Sequence, residues 1–116
     1  VVVNDRMRLD AARTARLARR AAALLRRRGA SLPEDAIVRS GDVWLVREWL
    51  GAGYGHATNE SRSAAVLLRE ADGLALDPVY AAKAMAGLLG LARLGALAGG
   101  PVLFVATGDA LSRHED

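Results

Sequence analysis

The chain opens on Val1, Val2 and Val3, an unbroken β-branched run of the kind a buried strand presents. The pattern then changes over residues 7–28. Leu9, Ala12, Leu17, Ala18, Ala21, Leu24 and Leu25 recur mostly at spacings of three and four, which predicts an amphipathic helix. Asp5 is a reasonable N-cap for it, Gly29 sits where a glycine closes a helix, and Arg26, Arg27 and Arg28 suit the negative end of the dipole. "ASLPEDAIVRSG" has no periodicity and reads as a loop. "DVWLVREW" alternates weakly and is rich in β-formers, so it predicts a second strand.

"LGAGYGHAT" is glycine-rich and irregular. Thr58 is placed to cap a helix over about 60–71, closed by Gly73. Asp77 and Pro78 then mark the start of another helix running to Leu94, because aspartate is a favoured cap and proline suits the first helical position. Gly87 and Gly90 fall inside that helix. Each costs about 1 kcal/mol relative to alanine there, so close packing is expected at both. "VLFV" at 102–105 predicts a last strand, followed by a glycine turn. The order strand, helix, strand, helix, helix, strand predicts an α/β fold, a partial open sheet flanked by helices. The chain begins mid-pattern without methionine and ends on "LSRHED" soon after a strand-like run, so it reads as one incomplete domain over 1–116.

Composition narrows the chemistry. With 116 residues, 52% hydrophobic and 25% charged, the chain has the material for one small core. It has no cysteine, which excludes disulfides, thiolate metal sites and cysteine nucleophiles. His56 and His114 are too few for a zinc site without several well-placed carboxylates, so no metal is expected. No apolar run reaches the roughly 20 residues of a membrane helix and no secretory signal pattern is present, so a cytoplasmic protein with no membrane partner is expected. Net charge is +3, and lysine occurs once, as Lys83.

Several residues invite a functional reading. Arg13, Arg16, Arg19, Arg20, Arg26, Arg27 and Arg28 form a basic helical face that could meet phosphates, as in a small nucleic-acid-binding module. Modest net charge and no interleaved aromatic favour a solvated outer face and no nucleic acid. Lys83 invites a Schiff-base role because it is unique, against a helix lysine that snorkels or pairs with a carboxylate. Tyr54, between glycines in "GAGYG", either projects into a cleft or covers the core. Tyr80 lies at a helix mouth. His56 reads as a loop histidine with no convincing partner. Thr107 and Gly108 follow a predicted strand, where ligands bind in open α/β sheets.

Three blocks in order, "GAGYG" at 51–55, "LDPVYAAKAMAGL" in the 74–88 region and "VLFVATG" at 102–108, resemble the C-terminal part of the D-cysteine desulfhydrase and 1-aminocyclopropane-1-carboxylate deaminase family. These are pyridoxal-phosphate enzymes of the tryptophan-synthase-β-like fold. The resemblance covers roughly residues 42–108. It implies a lyase or deaminase that converts a small amino acid to a 2-oxo acid and ammonia by β-elimination or deamination, in a homodimeric complete enzyme. It also implies that Tyr54 and Tyr80 face the substrate as catalytic groups, and that Thr107 and Gly108 contact the cofactor, with an uncharged hydroxyl tempering the electron sink.

In that family the Schiff-base lysine lies in the N-terminal half, ahead of a serine- and glycine-rich phosphate-binding region, and the lysine of the "KAMAGL" helix is structural. Lys83 is accordingly expected to be structural, and the chain to be an inactive fragment on its own, or a non-catalytic remnant that pairs with a full-length homologue. It departs from the family pattern at Ala81, where deaminases often carry glutamate and desulfhydrases threonine. Ala106 and Asp109 stand where histidine and glycine are usual.

Overall fold

The computed structural model describes residues 1–107; Gly108, Asp109 and His114 lie outside them. Among the described residues three helices occur, α1 (Ala11–Arg27), α2 (Asn59–Asp72) and α3 (Ala81–Arg93), with a single 3-10 turn at Ser40–Asp42. The chain divides into two compact units: Met7–Leu45, and Val1–Arg6 together with the chain from Val46 onward.

The predicted α/β architecture is overturned. The described residues are helical and hold neither strand nor sheet. None of the three predicted strands carries a ladder, and the second begins inside the 3-10 turn. Val2 donates its N–H to the Val46 carbonyl at 2.7 Å, a single backbone bond between the first two of them. A strand is defined by repeated pairing with a neighbour, and one bond does not make a ladder. At 102–105 only Phe104 is half-buried, while Val102, Leu103 and Val105 are exposed. The apolar runs suit a strand, but among the described residues no ladder pairs them.

Helix boundaries shift for local reasons. Asp5 does not cap α1. Asp10 does, with Oδ1 accepting from the Arg13 N–H at 2.7 Å, so the helix starts later than residue 7. In that unit Arg19 donates to the Val38 carbonyl at 2.8 Å and Arg26 to the Pro33 carbonyl at 2.9 Å, so two of the helix arginines hold the returning loop. Ala15 is the buried residue of α1, whereas Leu17, Leu24 and Leu25 are exposed. Thr58 caps α2 as expected. Its hydroxyl accepts from the Ser61 N–H at 3.0 Å, the Ser61 hydroxyl accepts from the Thr58 N–H at 2.9 Å, and Gly73 closes the helix in the left-handed region at φ 66°.

The core of the second unit is the seam between α2 and α3. Ala64, Met85 and Ala86 are buried there, with Trp49, Leu68, Leu76, Leu88, Leu89 and Phe104 packed round them. The face of α3 is made of small residues, so other segments approach its backbone closely. A β-carbon on Gly87 would collide with the Val1 side chain, and one on Gly90 with the Trp49 ring. Close packing therefore accounts for both glycines.

Overpacking costs about 1–3 kcal/mol, while a helix glycine replaced by alanine regains up to about 1 kcal/mol. Since the Trp49 ring is not the far end of a flexible chain, the collision outweighs the gain. Gly90→Ala should lower the urea midpoint. Gly41→Ala, where nothing lies within 4 Å, is the control. An unchanged or raised midpoint for Gly90→Ala would refute the tight seat of Trp49.

Candidate functional site

The site assembles at the start of α3. Asp77 holds this end, with Oδ1 accepting from the N–H groups of Val79 at 3.1 Å and Tyr80 at 2.6 Å, and Oδ2 accepting from Ala81 at 3.0 Å. The carboxylate thus satisfies the free donors of the first turn, as a helix N-terminus requires. Regular helix begins at Ala81, three residues later than Pro78, and its N-cap position is Tyr80, not Asp77; the Asp77 carboxylate instead holds the turn that leads into the helix. Tyr80 is left at the helix mouth with its ring exposed.

The glycine-rich turn supplies the facing group. Gly51, Gly53 and Gly55 have φ of 66°, 112° and 87°, a backbone that side chains with a β-carbon rarely adopt. These bends place the half-buried Tyr54 opposite Tyr80. The Tyr80 hydroxyl donates to the Tyr54 hydroxyl at 2.6 Å, and the rings lie 5.6 Å apart between centroids at 59°. Two residues that sequence reading placed separately therefore form one pair.

Lys83 lies one turn further along α3 and is fully buried. Its Nζ donates to the carbonyls of Leu50 at 2.7 Å and Gly53 at 2.9 Å. The unique lysine thus ties the glycine turn to the helix. Its partners are carbonyls, not the carboxylate that a simple helix pairing would give.

Two site residues escaped the sequence reading. Asp5 Oδ1 accepts the Tyr54 N–H at 2.9 Å, across 49 positions of sequence. The Arg6 guanidinium carbon lies 4.9 Å from the centroid of the Tyr54 ring, within the range of a cation–π contact. Asp5 had a plausible local role as a helix cap, which concealed its long-range partner, and no spacing signal could have revealed Arg6.

Hydrogen bonding sets the electrostatics. The bond from the Tyr54 N–H holds the Asp5 carboxyl below its ordinary value, helped by the nearby positive charges of Arg6 and Lys83. The bond with Tyr54 raises the Tyr80 phenol above its ordinary value of 10.0, since it favours the protonated form; Asp77 adds to this and Arg6 opposes it.

The other expected site residues do not join the pair. Thr107 is exposed, and among the described residues no hydrogen bond links it to the tyrosines, while Gly108 lies outside them. His56 is exposed and contributes to the turn through its backbone N–H, which donates to the Gly53 carbonyl at 3.4 Å. A separate groove of about 440 Å³, between α2 and α3 beside Trp49, does not include the tyrosines. No helix among the described residues is long and apolar enough to cross a membrane.

No family model matches the chain. Over 70 residues it is 43% identical to a D-cysteine desulfhydrase of Klebsiella pneumoniae (strain 342), a match covering 60% of this chain and 21% of that protein. The chain thus spans about a fifth of the length of the curated relative it matches.

A raised phenol pKa has a definite sign. The folded state holds the Tyr80 proton more tightly than the unfolded one, so the contribution is complete below the ordinary value of 10.0 and is lost as pH rises through the folded-state value. The chain has only two tyrosines, so phenolate absorbance reads the pair alone. Tyr54→Phe should move the Tyr80 titration back down toward 10.0. A titration that stays where the parent chain has it would show that Tyr54 does not hold that proton.

Proposed function

We propose that this chain is the tyrosine-bearing part of a pyridoxal-phosphate-dependent lyase of the D-cysteine desulfhydrase type. The substrate class is a small amino acid, and the reaction a β-elimination or deamination that releases a 2-oxo acid and ammonia. The similarity to the Klebsiella protein supports the class. The observation that carries the reading is the Tyr54–Tyr80 hydroxyl pair, held at the mouth of a capped helix on a turn that glycines shape.

In this reading the two phenols act together. The two hydroxyls share one hydrogen bond, which leaves one phenol proton for an outside acceptor. That suits the pair to orient a substrate carboxylate, or to donate a proton to a group that leaves. The partner phenol backs the one that donates and can re-protonate it.

The described residues do not by themselves fit the cofactor. The one lysine has its Nζ bound to two carbonyls, and the N–H groups at the start of α3, a natural phosphate seat, are taken by Asp77. When bound, pyridoxal phosphate supplies an electron sink for the substrate carbanion. We place the lysine that carries it outside these 116 residues. Thr107 and Gly108 remain the proposed cofactor-facing positions, and the whole enzyme the proposed homodimer.

A chimera tests this. The matching 70 residues of the Klebsiella desulfhydrase are replaced by those of this chain, and pyruvate release from D-cysteine is followed. The chimera should turn over, and Tyr80→Phe in it should lower turnover by roughly 10²–10⁴-fold, the usual span of a proton-transfer group, with only a small drop in melting temperature. Full turnover in the phenylalanine variant, or a folded, cofactor-bound but inactive chimera, would end the proposal.

A further inference from the structure

The Gly53 carbonyl and the Tyr54 N–H belong to one peptide group. Lys83 donates to its oxygen at 2.9 Å, and Asp5 accepts from its nitrogen at 2.9 Å. A positive and a negative side chain therefore grip opposite ends of a single peptide dipole. Gly53, at φ 112°, is the residue whose backbone makes that orientation possible, and a β-carbon there would lie 2.8 Å from Asp5 Oδ2. The carboxylate thus rests directly against a glycine, with no room for a side chain between. The Arg6 guanidinium then covers the Tyr54 ring.

We propose that Asp5 is a positioning residue for the tyrosine pair: with Lys83 it clamps the two ends of the Gly53–Tyr54 peptide by hydrogen bonds, which fixes the direction in which Tyr54 presents its hydroxyl to Tyr80. The link to catalysis rests on the function proposed above. The link between Asp5 and the pair does not, and is measured without substrate or cofactor.

The position of the Tyr54 hydroxyl is set by the plane of the preceding peptide and by the side-chain torsions. Lys83 fixes the oxygen end of the plane and leaves rotation about that contact open. A second contact at the nitrogen end removes it. Asp5 is charged throughout the pH range in which phenols ionise, because its carboxyl is held below the ordinary carboxylate value by the Tyr54 N–H. The groups bearing on Tyr80 are Tyr54, Asp77 and Arg6, and those on Asp5 are Tyr54, Arg6 and Lys83.

The test is the phenolate titration of the chain itself. Asp5→Ala should lower the Tyr80 midpoint by most of the shift that Tyr54→Phe causes. Asp5→Asn, which keeps an acceptor for the Tyr54 N–H, should stay close to the parent. In a Tyr54→Phe background Asp5→Ala should add nothing. An unchanged midpoint in a helical Asp5→Ala chain would overturn the proposal, as would a shift that persists in the Tyr54→Phe background, since Asp5 would then act by charge alone. If Asp5→Ala does not fold, the unaltered chain decides. The Tyr54 amide proton should shift in acid with the Asp5 carboxyl, at a midpoint below the ordinary aspartate value of 3.8. An amide resonance indifferent to that titration would equally overturn it. None of these outcomes depends on whether the chimera is active.

Discussion

The described site depends on a buried lysine whose partners are main-chain oxygens. Lys83 reaches from the first turns of α3 to the carbonyls of Leu50 and Gly53, and is wholly shut away from solvent. Hydrogen bonds to charged groups contribute about 1.5–3 kcal/mol each, and a buried polar side chain without partners would cost as much or more. The pairing thus joins α3 to a turn rich in glycine, a residue that loses much freedom on folding. That anchor acts together with the Asp5 carboxylate on the Tyr54 N–H and the hydroxyl bond to Tyr80. Tyr54 owes its place to these contacts.

The same helix solves a packing problem. Its small residues let the Val1 side chain and the Trp49 ring lie against the backbone at Gly87 and Gly90, which brings the segment containing Asp5 and Arg6 close to the glycine turn. Burial and chemistry are coupled through this geometry: the contact that seats residues 1–3 on α3 also delivers a carboxylate to the Tyr54 amide. A fold of so few large buried side chains can hold such an arrangement only because the polar contacts are satisfied. Among the described residues no buried side-chain nitrogen or oxygen lacks a partner.

What could be read from the sequence follows the range of the interactions. The cap of α2 at Thr58 and the turn that Asp77 holds ahead of α3 were legible, because a side chain that binds the amide two to four residues ahead leaves a local signature. The structural character of Lys83 followed from a resemblance, but its carbonyl partners, more than 30 positions away in one case, left no mark in the pattern. Asp5 misled because a carboxylate ahead of an amphipathic stretch looks like a cap, and the real cap, Asp10, lay five residues on. The strands failed for a similar reason. Extended β-branched runs such as Val1–Val3 report a local preference, while a sheet needs a partner that no local pattern guarantees.

That Lys83 serves as a structural tie and not as a cofactor carrier is the claim on which the rest stands. Because it is the only lysine, one chemical experiment addresses it. The chain is treated with pyridoxal phosphate and borohydride, once folded and once unfolded in urea, and the adducts are located by peptide mass. The account predicts a reduced adduct on Lys83 in the unfolded chain and none of stoichiometric yield in the folded one. Stoichiometric, site-specific labelling of Lys83 in the folded chain would contradict it, and would make this residue the one that holds the cofactor.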